Sequence, residues 1–581
     1  MFGQPIKYSD FYKEDIPKNP IDLIKGIPKE EVLATIAAIN SRLKPVNSVY
    51  FDDSLETQVD CIRVIFLDYE NHPSQSNCIK FINKFLKTPP NANLFTRVTC
   101  LYSYQEILNS SGFTTIKPEY TVKIREQILK FMLIANEKIL LFDKEYNEDD
   151  HKVLNQDFFE YFMFKELPHN QYYTSSNSIN LFYKSWRLFK TIQIDDFFGD
   201  HLEAYLKETF GVETFSDFFR SQMYTYFKSY DEKLKLNYIN IRKEEKEALQ
   251  ILNKLSERNH PKLPDETDPK IFDFFDIKKS PLFKNESDED KEIITFLVLD
   301  NILLIEKTYS LFINDFWFDY LKTKNICTRA DWGNFIGSNF FEPFLEEIFH
   351  NAFKYNRRTI FLSTDDLNIS LKGKSEIEFA DFLIRDRKNV MLIEAKSNYL
   401  PIVNGYKTVK DIEDYKSLNL DKFYKDYGLK QLVSKTIKFY NEYKTSLPDS
   451  SFDYRKKVKL HPAIIANDPI FSSGYALFAF RRKFESLLKQ EAIPQDDINY
   501  KIMPLAIINV SDLQDVEQSL KNGSENIFNI LRHYYSISNE GRITAEDSSA
   551  VLNTVSHSIN ALIKNNLIAN RIITLKWLGL N

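Results

Sequence analysis

Asp381, Glu394 and Lys396 are three charged residues set among apolar ones. The stretch Glu376-Ile-Glu-Phe-Ala-Asp381-Phe-Leu-Ile-Arg-Asp-Arg-Lys-Asn-Val-Met-Leu-Ile-Glu394-Ala-Lys396 reads as two strands joined by a turn at Asp386 to Asn389. Glu394 and Lys396 are two positions apart, so on one strand their side chains share a face. Asp381 precedes Glu394 by 13 positions, and a hairpin with its turn at 386–389 brings the two side by side. The run VMLIEAK otherwise has the composition of a strand buried on both faces. A carboxylate there is costly unless it is paired or metal-bound. Glu394 and Lys396 can pair with each other, which leaves Asp381 in need of a partner. A divalent cation between Asp381 and Glu394 meets that need. The two carboxylates and the backbone carbonyl of Ala395 supply oxygen ligands for Mg²⁺, with Mn²⁺ as a substitute, and leave positions for water and phosphate. Lys396 then faces the attacking water or the scissile phosphate, where it positions the water and offsets developing charge. This is the equipment of metal-assisted phosphodiester hydrolysis. The alternative is structural: Glu394 and Lys396 form an ion pair, and Asp381 is an acid beside a turn.

The elements that must position these residues begin near residue 330. A helical segment, SNFFEPFLEEIFHNAFKYN (338–356), precedes short β-rich runs: RTIFLS (358–363), EIEFADFLIRD (376–386), NVMLIEAKS (389–397), KVKLHPAIIAND (457–468) and MPLAIINVSD (503–512). A polar helical region rich in Lys and Tyr (407–445) separates the third run from the fourth. The order is helix, three strands, helix, strand and a further strand, which specifies a mixed α/β domain. Within 407–445, lysines outnumber acids, and Tyr406, Tyr415, Tyr424, Tyr427, Tyr440 and Tyr443 are interspersed. The region is either a phosphate-contacting wall or a solvated amphipathic surface. Arg455-Lys456-Lys457 and Arg481-Arg482-Lys483 are sharper positive clusters. Glu376 and Glu378 alternate with Ile377 and Phe379. A solvated face is expected for them, with Glu378 in reserve as a metal ligand.

An acid on one strand and (D/E)-x-K on the next, here Asp381 and Glu394-Ala-Lys396, resembles the PD-(D/E)XK nuclease superfamily. Its helix–strand–strand–strand–helix–strand core matches the order above, and Ala380 stands where the motif's name has proline. The resemblance covers residues 330–515. It implies α/β (α+β overall): a restriction-endonuclease-like mixed sheet flanked by helices. It also implies further site residues. Many members carry an acid on the preceding helix, often after glycine and phenylalanine. Gly337-Ser-Asn-Phe-Phe-Glu342 fits, so Glu342 is the candidate for a further catalytic and metal-binding position, its alternative being an ordinary helix-surface acid. Some branches place a glutamine on the later helix. Gly428-Leu-Lys-Gln431-Leu looks similar, with Lys435 one turn on, and Gln431 is otherwise a surface residue. The implied activity is Mg²⁺-dependent endonucleolytic cleavage of DNA, with a place in bacterial antiviral defence against foreign DNA. RNA cleavage and a non-catalytic scaffold on a degenerate nuclease fold are the alternatives.

The rest of the 581-residue chain bounds these readings without sharpening them. Residues 1–258 read as a mainly helical recognition or sensor region that offers a surface for a protein partner or a second copy of the chain. Examples are VLATIAAINSRL, TVKIREQILKFMLIANEKILLF (121–142) and LFYKSWRLFKTIQ (181–193), whose Phe and Tyr stripes are expected in the core. Residues 259–329 read as linker and helical connector. Three prolines lie in NHPKLPDETDPK (259–270), a solvated loop is expected over 278–292, and apolar periodicity resumes over 294–321. Residues 516–581 read as a helical tail, with Thr544 or Ser548 as caps of its last segment. Only 14 glycines disfavour propellers and large glycine-turned β folds. Lys+Arg 76 against Asp+Glu 82 gives a net charge of -6, which excludes a globally basic binder and leaves room for a local basic groove. Phe 48 and Tyr 32 are so abundant that aromatic–lysine interleaving carries little weight. The four cysteines form no CxxC pair or zinc spacing and are expected to be reduced. The N-terminal residues hold no apolar signal-peptide core, and no run reaches the ~20 apolar residues of a membrane span. A cytoplasmic protein is expected. No GxxxxGK[ST], GxSxG or HExxH motif occurs.

Overall fold

The computed structural model describes residues 4–44, 51–52, 54–68, 75–89, 92–139, 152, 157–164, 178–228, 237–258, 274–285, 292–356, 358–370, 380–399, 409, 411–441, 451–453, 455–472 and 474–537. The expected 259–270 linker, Glu376, Glu378, Tyr406, Tyr443, Thr544 and Ser548 lie outside them. The chain forms two compact units. One comprises residues 1–145 and 172–326, the other residues 146–171 and 327–581. The division at 326/327 lies close to the expected boundary at 329/330, the 259–326 connector belongs with the first unit, and a short stretch of the expected N-terminal region, 146–171, belongs to the second.

The first unit is mainly helical. Helices Lys29–Leu43, Leu55–Phe66, Arg97–Leu108 and Val122–Ile139 pack together around Ile36, Ile65, Leu101 and Met132. Their starts are written locally. Ser54 Oγ accepts the Thr57 N–H, and Thr96 and Thr99 form a reciprocal capping box. The aromatic stripes are core, as expected: Phe189 packs against Phe215, Phe218 and Phe312. Two readings change. Strand β1 (Gln4–Pro5) pairs in parallel with β2 (Ala92–Asn93), and three strands, β3 (Tyr238–Arg242), β4 (Leu282–Lys284) and β5 (Ile293–Val298), form an antiparallel sheet with β5 at its centre. The 294–321 run therefore opens as a strand, and the 278–292 loop contains one. Because β3 pairs with β5, residues on both sides of the expected linker share one sheet. Asp300 closes this core. Its carboxylate takes a bidentate pair of bonds from Arg97, both at 2.8 Å, and caps the next helix through Leu303 N–H at 2.8 Å. Burial pushes the Asp300 carboxyl up, but the Arg97 guanidinium outweighs it and holds the group below its ordinary range.

The second unit is a mixed six-stranded sheet with helices on both faces. Its strands are β6 (Thr359–Ser363), β7 (Phe382–Asp386), β8 (Asn389–Lys396), β9 (Val458–Ala466), β10 (Tyr500–Ile502) and β11 (Ala506–Asn509). Strands β6, β7 and β8 are antiparallel neighbours, β8 and β9 run parallel, and β10 and β11 both pair in parallel with β9. Each of the five expected runs holds a strand, in the expected order; strand β10 and a long helix before it, Gly474–Gln490, were not expected. A short helix, Thr364–Ser370, is added between β6 and β7. Strand β7 starts at Phe382, so Asp381 sits on the bend just before it rather than within it. The β7–β8 turn is Arg387-Lys388, with Arg387 at φ +55°.

Pairing assigns the two faces. Phe382, opposite Ile393, shares its face with Phe361, and Phe349 of helix Glu342–Phe353 packs its ring on both. Glu394 and Lys396 lie on the other face, under helix Leu429–Asn441. A wide π turn, Phe335–Phe341, precedes Glu342. Pro343 has no N–H to give the carbonyl four residues back, and its ring crowds that carbonyl, so the helix opens there. Residues 157–164 join this unit through Glu160, whose carboxylate accepts the hydroxyls of Tyr415 and Tyr424, and through Phe159, which packs on Phe478. Among the described residues of either unit, no helix is long and apolar enough to cross a membrane.

Candidate active site

The β7–β8 hairpin fixes the first two charges. Thr364 Oγ1 donates to the Asp381 carbonyl at 2.9 Å and pins the bend. Asp381 Oδ2 then accepts the Ala395 N–H at 2.6 Å, continuing the ladder past the end of β7 with a side chain in place of backbone. The N–H and C=O of one strand residue point to the same side, so the Ala395 carbonyl lies on the side of Asp381. The next carbonyl, that of Lys396, turns the opposite way and accepts the Asn467 N–H at 2.9 Å.

Helix Leu429–Asn441 brings the remaining partners. Gln431 and Lys435 are four apart and so lie one above the other, Lys435 buried against the sheet and Gln431 exposed at the rim. Lys435 Nζ sits 3.1 Å from Asp381 Oδ1 and 2.7 Å from Glu394 Oε2. Lys396 Nζ lies 2.8 Å from Glu394 Oε1 and donates to Gln431 Oε1 at 2.9 Å. Glu394 is 1% exposed, Asp381 5% and Lys435 6%. Burial raises the Glu394 carboxyl above its ordinary value, and the neighbouring Asp381 charge adds to this. The ammoniums of Lys396 and Lys435 offset part of the rise. Gly428, at φ +74°, gives the helix its close approach, because a Cβ there would fall within 2.7 Å of Glu394 Cγ.

Asp381, Glu394, Lys396 and Gln431 thus converge. Glu342 begins the helix that packs on the opposite face of the sheet. Among the described residues, no three His, Cys, Asp or Glu side chains gather to hold an ion. In the sequence Lys435 stands out only as a neighbour of Gln431, one turn on. Its signal lay in the helical stripe, where it shares the buried positions of Leu432, Thr436 and Phe439. A lysine on an otherwise buried stripe needs a carboxylate partner.

The site suits a cation. Asp381 Oδ1 and Glu394 Oε2 already converge on one, the Lys435 ammonium, and hard carboxylate oxygens are the donors Mg²⁺ prefers. Neither reading of the 407–445 tyrosines, phosphate-contacting wall or solvated surface, describes those among the described residues. Tyr415, Tyr424 and Tyr427 are buried in the unit's core, and Tyr440 donates to Asp497. The Arg481 cluster is also corrected. Arg481 is buried, donates to the Leu505 carbonyl at 2.8 Å and lies against the Phe478 and Tyr534 rings, while Arg482 covers the Phe159 ring. Arg455 and Lys456 pair with Asp453, and Lys457 with Asp496. The chain matches no family model, no curated protein and no solved structure.

Proposed function

We propose that residues 330–515 form a PD-(D/E)XK-type nuclease domain with a restriction-endonuclease-like fold, and that the chain is a metal-dependent endonuclease acting on DNA. One observation carries this reading. Two buried carboxylates, from a bend and from the adjoining strand, converge on a single cation, and Lys396 stands two positions beyond the second. Asp381, Glu394 and the Ala395 carbonyl would hold Mg²⁺ or Mn²⁺. When bound, the ion lowers the pKa of a coordinated water and neutralises charge on the phosphate. Lys396 places an ammonium beside the reacting phosphate and orients the attacking water. Gln431 holds Lys396 by its amide oxygen and fixes the direction of that ammonium. Glu342 stays the candidate for a further ligand: the turn before it brings Gly337 against Ser397, next to Lys396, where an added Cβ would lie 3.3 Å from Ser397 Oγ.

A second reading has its own support. Lys435 satisfies both carboxylates without any metal, as a scaffold on a degenerate nuclease fold requires. Incubation with supercoiled DNA, single-stranded DNA and RNA, each in Mg²⁺, Mn²⁺ or EDTA, separates the two. The nuclease reading expects divalent-dependent cleavage of DNA that Asp381→Asn and Glu394→Gln each abolish. Cleavage of RNA alone overturns the substrate. Absence of cleavage in every arm, with Lys396→Ala lowering the melting temperature, leaves the scaffold.

A further inference from the structure

We propose that Lys435 is the resident counter-ion of the Asp381–Glu394 pair and must give up its place for a divalent cation to bind. The proposal rests on the reading of those carboxylates as metal ligands and assigns a gating role to a side chain outside the motif. The ammonium occupies the point on which Asp381 Oδ1 and Glu394 Oε2 converge, at 3.1 and 2.7 Å. A divalent ion bound by the same two oxygens and Lys435 Nζ cannot share that point.

Charge makes the exclusion thermodynamic as well as steric. Asp381 and Glu394 carry two negative charges, and Lys396 and Lys435 two positive, so the buried cluster is neutral without metal. Adding a doubly charged ion while Lys435 stays leaves two uncompensated positive charges in a low-dielectric setting, which is expensive. With the Lys435 ammonium withdrawn along its four-carbon stem, one positive charge remains. A phosphodiester carries one negative charge. The exchange therefore leaves a site that a single phosphate linkage neutralises, so metal and substrate favour each other. Lys435 balances the charge of the two carboxylates whenever no metal is bound and sets the concentration at which metal enters.

The experiment is calorimetric titration of the full-length chain with MgCl₂ and with MnCl₂, together with melting curves in EDTA. The proteins are wild type, Lys435→Gln, Lys435→Met and the double variant Asp381→Asn/Lys435→Met. Removing the competing ammonium is expected to tighten Mg²⁺ binding by about tenfold or more, a change of roughly 1.4 kcal/mol. Lys435→Gln and Lys435→Met should melt several degrees lower in EDTA, and Mg²⁺ should restore most of that loss. In the double variant Glu394 keeps Lys396 and no second carboxylate charge remains, so the lost melting temperature should return in EDTA. Equal or weaker Mg²⁺ binding by both single variants overturns the gating role while the metal site stands. No binding by wild type or variants overturns the gate and the metal site together. Should the single variants fail to fold, the double variant decides. Failure of that protein to fold as well means that Lys435 acts by packing rather than charge, and the proposal falls.

Discussion

Gly428 tests the candidate site without touching its chemistry. Its φ of +74° favours glycine, and an added methyl group would overlap Lys396 Cε and crowd Glu394 Cγ. Gly428→Ala should cost about 1 kcal/mol or more for the left-handed backbone alone. It should also slow cleavage, because Lys396 is pushed out of line. A melting curve and a cleavage rate on the same preparation check this, and wild-type values for both would remove Gly428 from the site. Lys396→Ala should retain Mg²⁺ binding by calorimetry and lose on the order of 10²-fold in cleavage rate. The three motif residues were legible because charge in an apolar strand calls for an explanation. Lys435 was not, because it belongs to a lysine-rich region where a solvated lysine is the ordinary case. Only its alignment with Leu432 and Phe439 distinguished it.

At the scale of elements, the β7–β8 hairpin carries the geometry. Its turn holds Arg387 at φ +55°, a strained region for a residue with a Cβ. Arg387→Gly should stabilise the second unit by up to ~1 kcal/mol, roughly 2–4 °C in melting temperature, and leave cleavage unchanged. A lower melting temperature would show that the arginine side chain contributes more than the strain costs. Strands β8 and β9 were legible as continuous apolar runs bounded by polar turns. Strand β5 was not, because ITFLV runs straight into the apolar helix NILLIE and six residues are too few to separate the two periods. Strands β3 and β4 were missed for a related reason. Their partner β5 had been read as helix, and without it neither had a sheet to join.

At the scale of the whole molecule, buried acids set a pH dependence. Burial raises Asp512 from 3.8 to about 7. A raised carboxyl is protonated in the fold where it is ionised in the unfolded chain. The stability this group gives is complete below pH 4 and is lost as pH rises to about 7. Asp512→Asn should therefore match wild type at pH 4 and exceed it at pH 8 by a few kcal/mol, an order-of-magnitude figure. Urea midpoints at the two pH values measure it, and a pH-independent difference would refute the burial argument. Dissection of the chain tests the division into units. Residues 327–581 expressed alone lack Glu160 and Phe159, so the hydroxyls of Tyr415 and Tyr424 lose their acceptor and Phe478 is uncovered. That fragment should melt lower, or precipitate sooner, than one carrying residues 146–171 on a flexible tether.

The same strip has a consequence in time. The ribosome makes Glu160 a full 255 residues before its partner Tyr415. At ~5–20 residues per second, that is a delay of roughly 10 to 50 s. Throughout it Phe158, Phe159 and Phe162 lack Tyr475 and Phe478, the rings they pack on in the second unit, while every residue of the first unit is already made by position 326. A nascent chain stalled after residue 330 should be cut by protease within 157–164, and a released full-length chain should not. Translation speed, rather than final stability, then sets how long this protein presents these three phenylalanines without their partners.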